Sequence, residues 1–361
     1  MTVRVLHVYP ELKSAGTETV IKNLLCNIDT GRVCFDFLVM REGESDELFR
    51  SLGAKIHYLP KSDNYKQDLC EFFKSHPEYR IVHAHTHKEM GTVLKAARLA
   101  GVPYRIAHSH NSRPDLPRIM KLYKLWTSRD IESSATHLLA CSREAAEWLF
   151  PRRHAEAAVW NNAIDLEAFS FDAEARVKYR DTLGIPRDAK VIAHVGRFAD
   201  QKNHKFIIKL LNRLTAEDES VWGVLVGGGP LFDEIKAEAG SERIIFLGQR
   251  RDVAELLSAS DTFLFPSHYE GLGIVAVEAQ ATGLFCLASL GVPAAADIGT
   301  GLFERLSLSE SEDVWCERIK TVLNGSDTDR RRELSARSLD TDYNIRKIGR
   351  MAEEFYLSLA E

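Results

Sequence analysis

Short apolar runs recur along the chain, each closed by a polar or glycine-containing segment and followed by a longer amphipathic stretch. Short continuous runs fit buried strands, and longer stretches with a 3.6-residue period fit the helices that cover them. In the first half the pattern predicts strands over 3–9, 34–40, 55–59, 80–84, 104–108, 137–140 and 157–161. Helices are predicted over 17–28, 64–76, 89–100 and 143–149. The pattern then restarts without a close sequence repeat. Strands are predicted over 190–195, 221–226, 243–246, 261–265 and 284–288, and helices over 204–214, 231–239, 252–259 and 274–282. The polar stretch 165–189, with Gly184 and Pro186, reads as a hinge. The tail 343–360 reads as one amphipathic helix.

Strands alternating with helices are the signature of parallel α/β sheets. The expected organisation is a Rossmann-like domain over 1–165, a second over 166–342, and a tail, 343–361, that returns to the first. Two such domains facing one another leave a cleft at the carboxyl ends of their strands, where ligands bind. Fold alone does not identify a reaction.

Composition narrows the partners. Residues 1–165 carry 23 Lys and Arg against 20 Asp and Glu, while the rest carries 24 against 32. The net charge of −5 argues against a general nucleic-acid binder, and the mildly basic first half permits an anionic partner there. No apolar run is long enough for a membrane helix, and the first residues read as a strand rather than a signal peptide. The six scattered cysteines form no C-x-x-C pair, as expected of free thiols in a cytoplasmic protein.

The strongest motif is PSHYEGLGIVAVEAQATG, residues 266–283. The predicted strand ends at Pro266. Glu270 precedes Gly271, Leu272 and Gly273, where a helix starts, and Glu278 follows about two turns on. Glycines let backbone approach a ligand closely, and a helix start offers free N–H groups to a phosphate. In HVGRFADQKNH, residues 194–204, Arg197 and Lys202 sit five apart in a loop and can straddle a diphosphate. Asn203 is the expected cap of the next helix. Surface glutamates and surface loop charges are the structural alternatives.

At these residues the sequence resembles glycosyltransferase family 4, a group of retaining enzymes with the GT-B fold. The resemblance covers nearly the whole chain and is nearest to the exopolysaccharide-type, EpsF-like members. It implies that Glu270 contacts the donor sugar and that Glu278 binds the ribose hydroxyls. By the same resemblance, Arg197 and Lys202 hold the nucleotide diphosphate in place of a metal ion, and no cofactor is needed. Gly228, in the turn Gly227–Pro230, lies beside the donor, and the loop of Gln249 and Arg250 reads the nucleobase through its backbone. Gly16 matches one of the family's two adjacent glycines after the first strand, where Ala15 departs from the pattern.

In the first half, His83, His85 and His87 would share one face of a strand, so a metal site is one reading. No Asp or Cys at ligand spacing joins them, and the expectation is no metal. By resemblance, His110 lines the donor-sugar pocket and stabilises developing charge; a strand-end histidine bonded to backbone is the alternative. Residues 113–129 are basic and amphipathic, which suits either contact with an anionic membrane or an ordinary helix over a core. Asp327-Thr-Asp329 and Asp340-Thr-Asp342 mimic a metal-binding D-x-D but lie in polar turns, away from any predicted nucleotide-binding strand.

The expected activity is retaining, metal-independent transfer of a sugar from a nucleotide diphosphate-sugar, UDP-linked by family habit, to a glycan or lipid-linked acceptor. His110, Glu270, Arg197 and Lys202 are the expected catalytic residues. The expected setting is surface polysaccharide synthesis, in the cytoplasm or at the inner face of the membrane. The alternatives are a UDP-sugar 2-epimerase of the same fold and a non-catalytic nucleotide-sugar-binding assembly protein.

Overall fold

The computed structural model describes residues 2–13, 16–86, 89–110, 128–325 and 327–360. The chain divides into two compact units, Met1–Ile164 with Ile345–Glu361, and Asp165–Asn344. The basic stretch 113–129 lies almost wholly outside the described residues, as do His87 and Ala15.

The first unit is a parallel sheet of β1 (Val3–Tyr9), β2 (Val33–Val39), β3 (Ile56–Tyr58), β4 (Ile81–Ala84), β5 (Tyr104–Ser109), β6 (His137–Ala140) and β7 (Ala158–Val159). Their order is β3-β2-β1-β4-β5-β6-β7. The two-residue alternation of β1 divides its side chains between two apolar layers. Leu6 and Val8 join the layer under helices Tyr65–Ser75, Met90–Leu99 and Arg143–Leu149, while Val5 and Tyr9 join the layer under Gly16–Leu25 and Ile345–Ser358. The C-terminal helix docks because Ile345, Ile348, Ala352 and Tyr356 recur every three or four residues and are all buried.

The second unit has β8 (Lys190–Val195), β9 (Val221–Val226), β10 (Ile244–Phe246), β11 (Thr262–Phe265), β12 (Phe285–Ser289) and β13 (Phe303–Leu306), all paired parallel in the order β10-β9-β8-β11-β12-β13. Helix His204–Glu217 buries Ile207, Ile208, Leu211 and Leu214 against Trp315 and Ile319 of helix Glu312–Asn324.

The stretch expected as a hinge is mostly a helix, Ala173–Leu183, and belongs to the second unit. Asp172 caps its start by accepting from the N–H groups of Glu174 and Ala175, and Gly184 closes it in the left-handed conformation at φ 67°. Its apolar face is weak, which is why the pattern missed it. Arginines anchor it instead. Arg180, 1% exposed, donates to the carbonyls of Ala189 and Ala259 and pairs with Asp261 at 2.7 Å. Arg331 donates to the carbonyls of Thr282 and Leu257 nearby, and its burial lowers its guanidinium pKa to about 9. Asp327, first of the D-x-D triplets, caps helix Thr328–Ser338 by accepting from Arg330 N, the place of a helix cap rather than a metal ligand.

Candidate active site

Each sheet reverses its strand order once, between β1 and β4 and between β8 and β11. Ligands of open parallel sheets bind at such reversals, beyond the carboxyl ends of the strands. Both sequence-predicted residue groups lie there.

In the second unit, Gly196 follows β8 directly and Gly227 follows β9, and the N–H of Gly227 donates to Gly248 O at 2.8 Å. A Cβ on Gly227, held at φ 137°, would collide with Gly196 O, so these strand ends approach more closely than another residue allows. Gly228 meets the side chain of Gln249.

The loop after β8 is tied to the loop after β11 at four points. His268 N–H donates to Gln201 O (2.8 Å), and Gln201 Nε2 donates to Tyr269 O (2.9 Å). Asn203 Nδ2 donates to Pro266 O (3.2 Å), and Lys202 Nζ pairs with Glu270 Oε1 at 2.6 Å. Asn203 is therefore not the expected side-chain cap. It takes the left-handed conformation at φ 57°, and its amide spans the two loops. The Lys202 stem packs over Gly196, and its ammonium stands 4.7 Å from the centroid of the Phe265 ring. The side chains of Lys202 and Glu270 are 16% and 7% exposed, so this charge pair is held largely out of water.

Gly273, at φ 79°, opens helix Ile274–Ala281, and a Cβ there would press on Phe265 at 2.9 Å. Leu272 is buried beneath this turn and Gly271 is half-buried. Glu278 lies one to two turns along the helix. Burial raises its carboxyl pKa to about 7, and among the described residues no side chain pairs with it. Arg197 is exposed and has no acidic partner among the described residues. Arg250 does have one: its guanidinium is held by Asp252 at 2.5 Å, and Tyr179 donates to the same carboxylate. Its charge is thus answered within its own loop.

The first unit brings five histidines together. His7 stands on β1 opposite His83 on β4, with His85 just beyond; His108 stands on β5, with His110 just beyond. Two hydrogen-bonded chains run through them. One joins His7 Nδ1 to His85 Nε2 (3.0 Å) and His85 Nδ1 to His110 Nε2 (2.8 Å). The other joins Tyr356 Oη to His83 Nδ1 (2.8 Å) and His83 Nε2 to His108 Nδ1 (3.1 Å). Tyr9 stacks on His85 at 4.5 Å between centroids. Burial holds four of these rings neutral: the pKa of His7 falls to about 3, and those of His83, His85 and His108 lie well below the ordinary value. A cavity of about 20 Å³ lies against His85, His108, His110 and Trp160. Gly16 begins the helix after β1.

The sequence pointed to the histidines at the ends of β4 and β5 here, His108 among them, but not to His7, Tyr9 or Tyr356. Alternation along β4 and β5 carries the signal for shared faces. Joining the strands required the sheet order, and Tyr356 lies 273 residues from its partner His83.

Two parallel-sheet units, each with its distinctive polar residues at the reversal of strand order, have the layout of the GT-B glycosyltransferases. Residues 176–338 match the model for glycosyl transferases group 1, and residues 43–168 match that for glycosyltransferase family 4. The chain is 38% identical to glycosyltransferase EpsF of Bacillus subtilis over 88% of this chain and 86% of that protein. It is 30% identical to an Escherichia coli UDP-Gal:alpha-D-GlcNAc-diphosphoundecaprenol alpha-1,3-galactosyltransferase over 59% of this chain and 58% of that one. Among solved structures, Anabaena HepE in complex with UDP superposes with a TM-score of 0.82 at 19% identity, covering 99% of this chain and 100% of that one. The protein belongs to the family 4 glycosyltransferases of the GT-B fold, and within them to the EpsF type.

Proposed function

We propose that the protein is a retaining glycosyltransferase that moves a sugar from a UDP-sugar to a glycan or lipid-linked acceptor in exopolysaccharide synthesis, without a metal at the diphosphate. The observation that carries this reading is the buried Lys202–Glu270 pair beside the glycine-opened helix at Gly273. As the sugar–phosphate bond stretches, negative charge grows on the leaving phosphate and positive charge on the anomeric carbon. Lys202, Arg197 and the N–H groups at the helix start answer the first charge; fixed donors in a dry site do this at little reorganisation cost. The glycine turns Gly228 and Gly271–Gly273 let the phosphates reach backbone, and Glu278 accepts from the ribose hydroxyls.

In this reading Glu270 and His110 orient the donor sugar. In retention the acceptor attacks from the leaving group's side and the departing phosphate takes its proton, so no dedicated base is required. The acceptor class is supported by the E. coli relative, whose name specifies a diphosphoundecaprenol-linked acceptor. The polysaccharide setting rests on the likeness to EpsF. On this reading the protein acts in the cytoplasm, near the inner face of the membrane.

The test is transfer from a panel of UDP-sugars in excess chelator, with the product's anomeric configuration read by NMR. The expected product keeps the donor's configuration and forms at the same rate with chelator present. An inverted product, or activity only after a divalent ion is restored, overturns the reading.

A further inference from the structure

Two of the histidines at the β1–β4–β5 strand ends are placed to act through a third. His85 spends Nε2 on His7 Nδ1 (3.0 Å) and Nδ1 on His110 Nε2 (2.8 Å). The ring centroids stand 5.2 and 5.1 Å apart, nearly as far as those contacts permit, so the bonding nitrogens lie close to the lines between the rings. Other rings stack on His85 as well, Tyr9 at 4.5 Å and His83 at 4.2 Å between centroids. Both nitrogens of His85 are therefore committed to histidines, and it can influence a ligand only through His110. We propose that His85, backed by His7, is a positioning residue for sugar transfer: it fixes the orientation and tautomer with which His110 meets the donor sugar. The role rests on the reading above that His110 orients that sugar, and adds what decides where the His110 ring carries its proton.

The bonds act in series because a neutral imidazole has one donor and one acceptor. Burial keeps His7 and His85 neutral, so each carries a single ring proton. If His7 Nδ1–H donates, His85 Nε2 accepts, His85 Nδ1–H donates to His110 Nε2, and a neutral His110 keeps its proton on Nδ1. If the chain runs the other way, His110 Nε2–H donates to His85 Nδ1, His85 Nε2–H donates to His7 Nδ1, and His7 keeps its proton on Nε2. In either sense the three rings share one tautomer, and the hydrogen bond on one nitrogen sets the character of the other. Packing holds the arrangement. His108 stacks on His110 at 4.0 Å and is itself tied to His83 at 3.1 Å, with Tyr356 Oη behind it at 2.8 Å. Turning the His110 ring over, which would take Nε2 away from His85, has to break both the bond and the stack. In Ser-His-Asp hydrolases the group behind the imidazole does the same work, and the wrong tautomer there lowers kcat by about 10⁴-fold.

Nitrogen NMR of the imidazoles in the full, unmutated chain tests the chain of bonds without depending on any variant's folding. The expected result is one protonated position common to His7, His85 and His110, either Nδ1 in all three or Nε2 in all three. Protons on Nδ1 of one ring and Nε2 of the next, or averaged shifts from freely exchanging tautomers, overturn the proposal. Steady-state transfer from a UDP-sugar then tests the consequence. His85→Leu should lower kcat by about 10–100-fold, as a small misplacement of a group at the reacting centre does. Its KM for the UDP-sugar should stay near wild type, because the proposed nucleotide contacts lie in the second unit. His85→Asn, whose amide falls at the place of Nδ1 and can still bond to His110 Nε2, should recover most of the rate. Equal losses in the Leu and Asn variants mean a merely structural role and overturn the proposal. A wild-type rate in His85→Leu, where His110→Leu is slow, overturns the positioning role alone. A wild-type rate in His110→Leu removes His110 from the transfer, and the positioning role with it.

Discussion

Lys202 and Glu270 are coupled closely enough that neither can be altered alone without consequence. Removing Lys202 leaves Glu270, 7% exposed, without its counter-charge, and removes a cation from the proposed leaving-group site. Lys202→Ala is expected to lower turnover by well over tenfold, about 1.4 kcal/mol per decade of rate. Steady-state transfer by this variant at the wild-type rate would remove Lys202 from charge stabilisation. Glu278 gives a pH-dependent test. Its carboxyl titrates near 7 in the folded chain against an ordinary 4.5, so its contribution to stability is complete below pH 4.5 and is lost as pH rises through about 7. Glu278→Gln abolishes that loss. The variant should therefore be more stable than wild type at pH 8, on the order of 2 kcal/mol, in chemical denaturation without ligand. It should also bind UDP less tightly, because ribose hydroxyls donate best to an ionised carboxylate. Wild-type UDP affinity should rise as pH increases through about 7 and that of the variant should stay flat; parallel profiles would place Glu278 away from the ribose.

At the scale of elements, helices and strands with a strong apolar period were legible from the chain, and those held by polar contacts were not. β1 and helix His204–Glu217 follow their hydrophobic pattern closely. Helix Ala173–Leu183 escaped because Arg180 and Asp261, not an apolar stripe, secure it. The residues proposed to meet the phosphates could be picked out because glycines, a lysine and a glutamate cluster in two short stretches. The histidine cluster was legible only in part: the histidines at the ends of β4 and β5 stood out, but joining them to His7 and to Tyr356 of the last helix needed the sheet order and the docked helix. The left-handed Asn203 carries no local signal beyond its residue type, which tolerates that conformation. The C-terminal helix gives a direct test at this scale. Tyr356→Phe leaves His83 Nδ1 without its partner at 2.8 Å in a buried site, and should cost about 1–3 kcal/mol. The loss should appear as faster amide exchange in β1 and β4; unchanged exchange would mean that the helix is held by apolar packing alone.

For the whole molecule, the two sheets each reverse order once and each place their distinctive polar residues at the reversal. Their chemistry differs: the second unit supplies the lysine, glutamates and glycine turns suited to a nucleotide diphosphate, and the first supplies neutral imidazoles. The central claim is that the second unit binds a nucleotide diphosphate through fixed cations and backbone, without a metal. The most direct measurement is thermal unfolding with UDP and UDP-sugars, each with and without EDTA. A ligand that binds only the folded state at about 100 times its Kd adds about 2.7 kcal/mol of stability. The account predicts a rise of several degrees with UDP, unaltered by EDTA and lost in Lys202→Ala. No rise with any nucleotide diphosphate at saturating concentration, or a rise that EDTA abolishes, would contradict it.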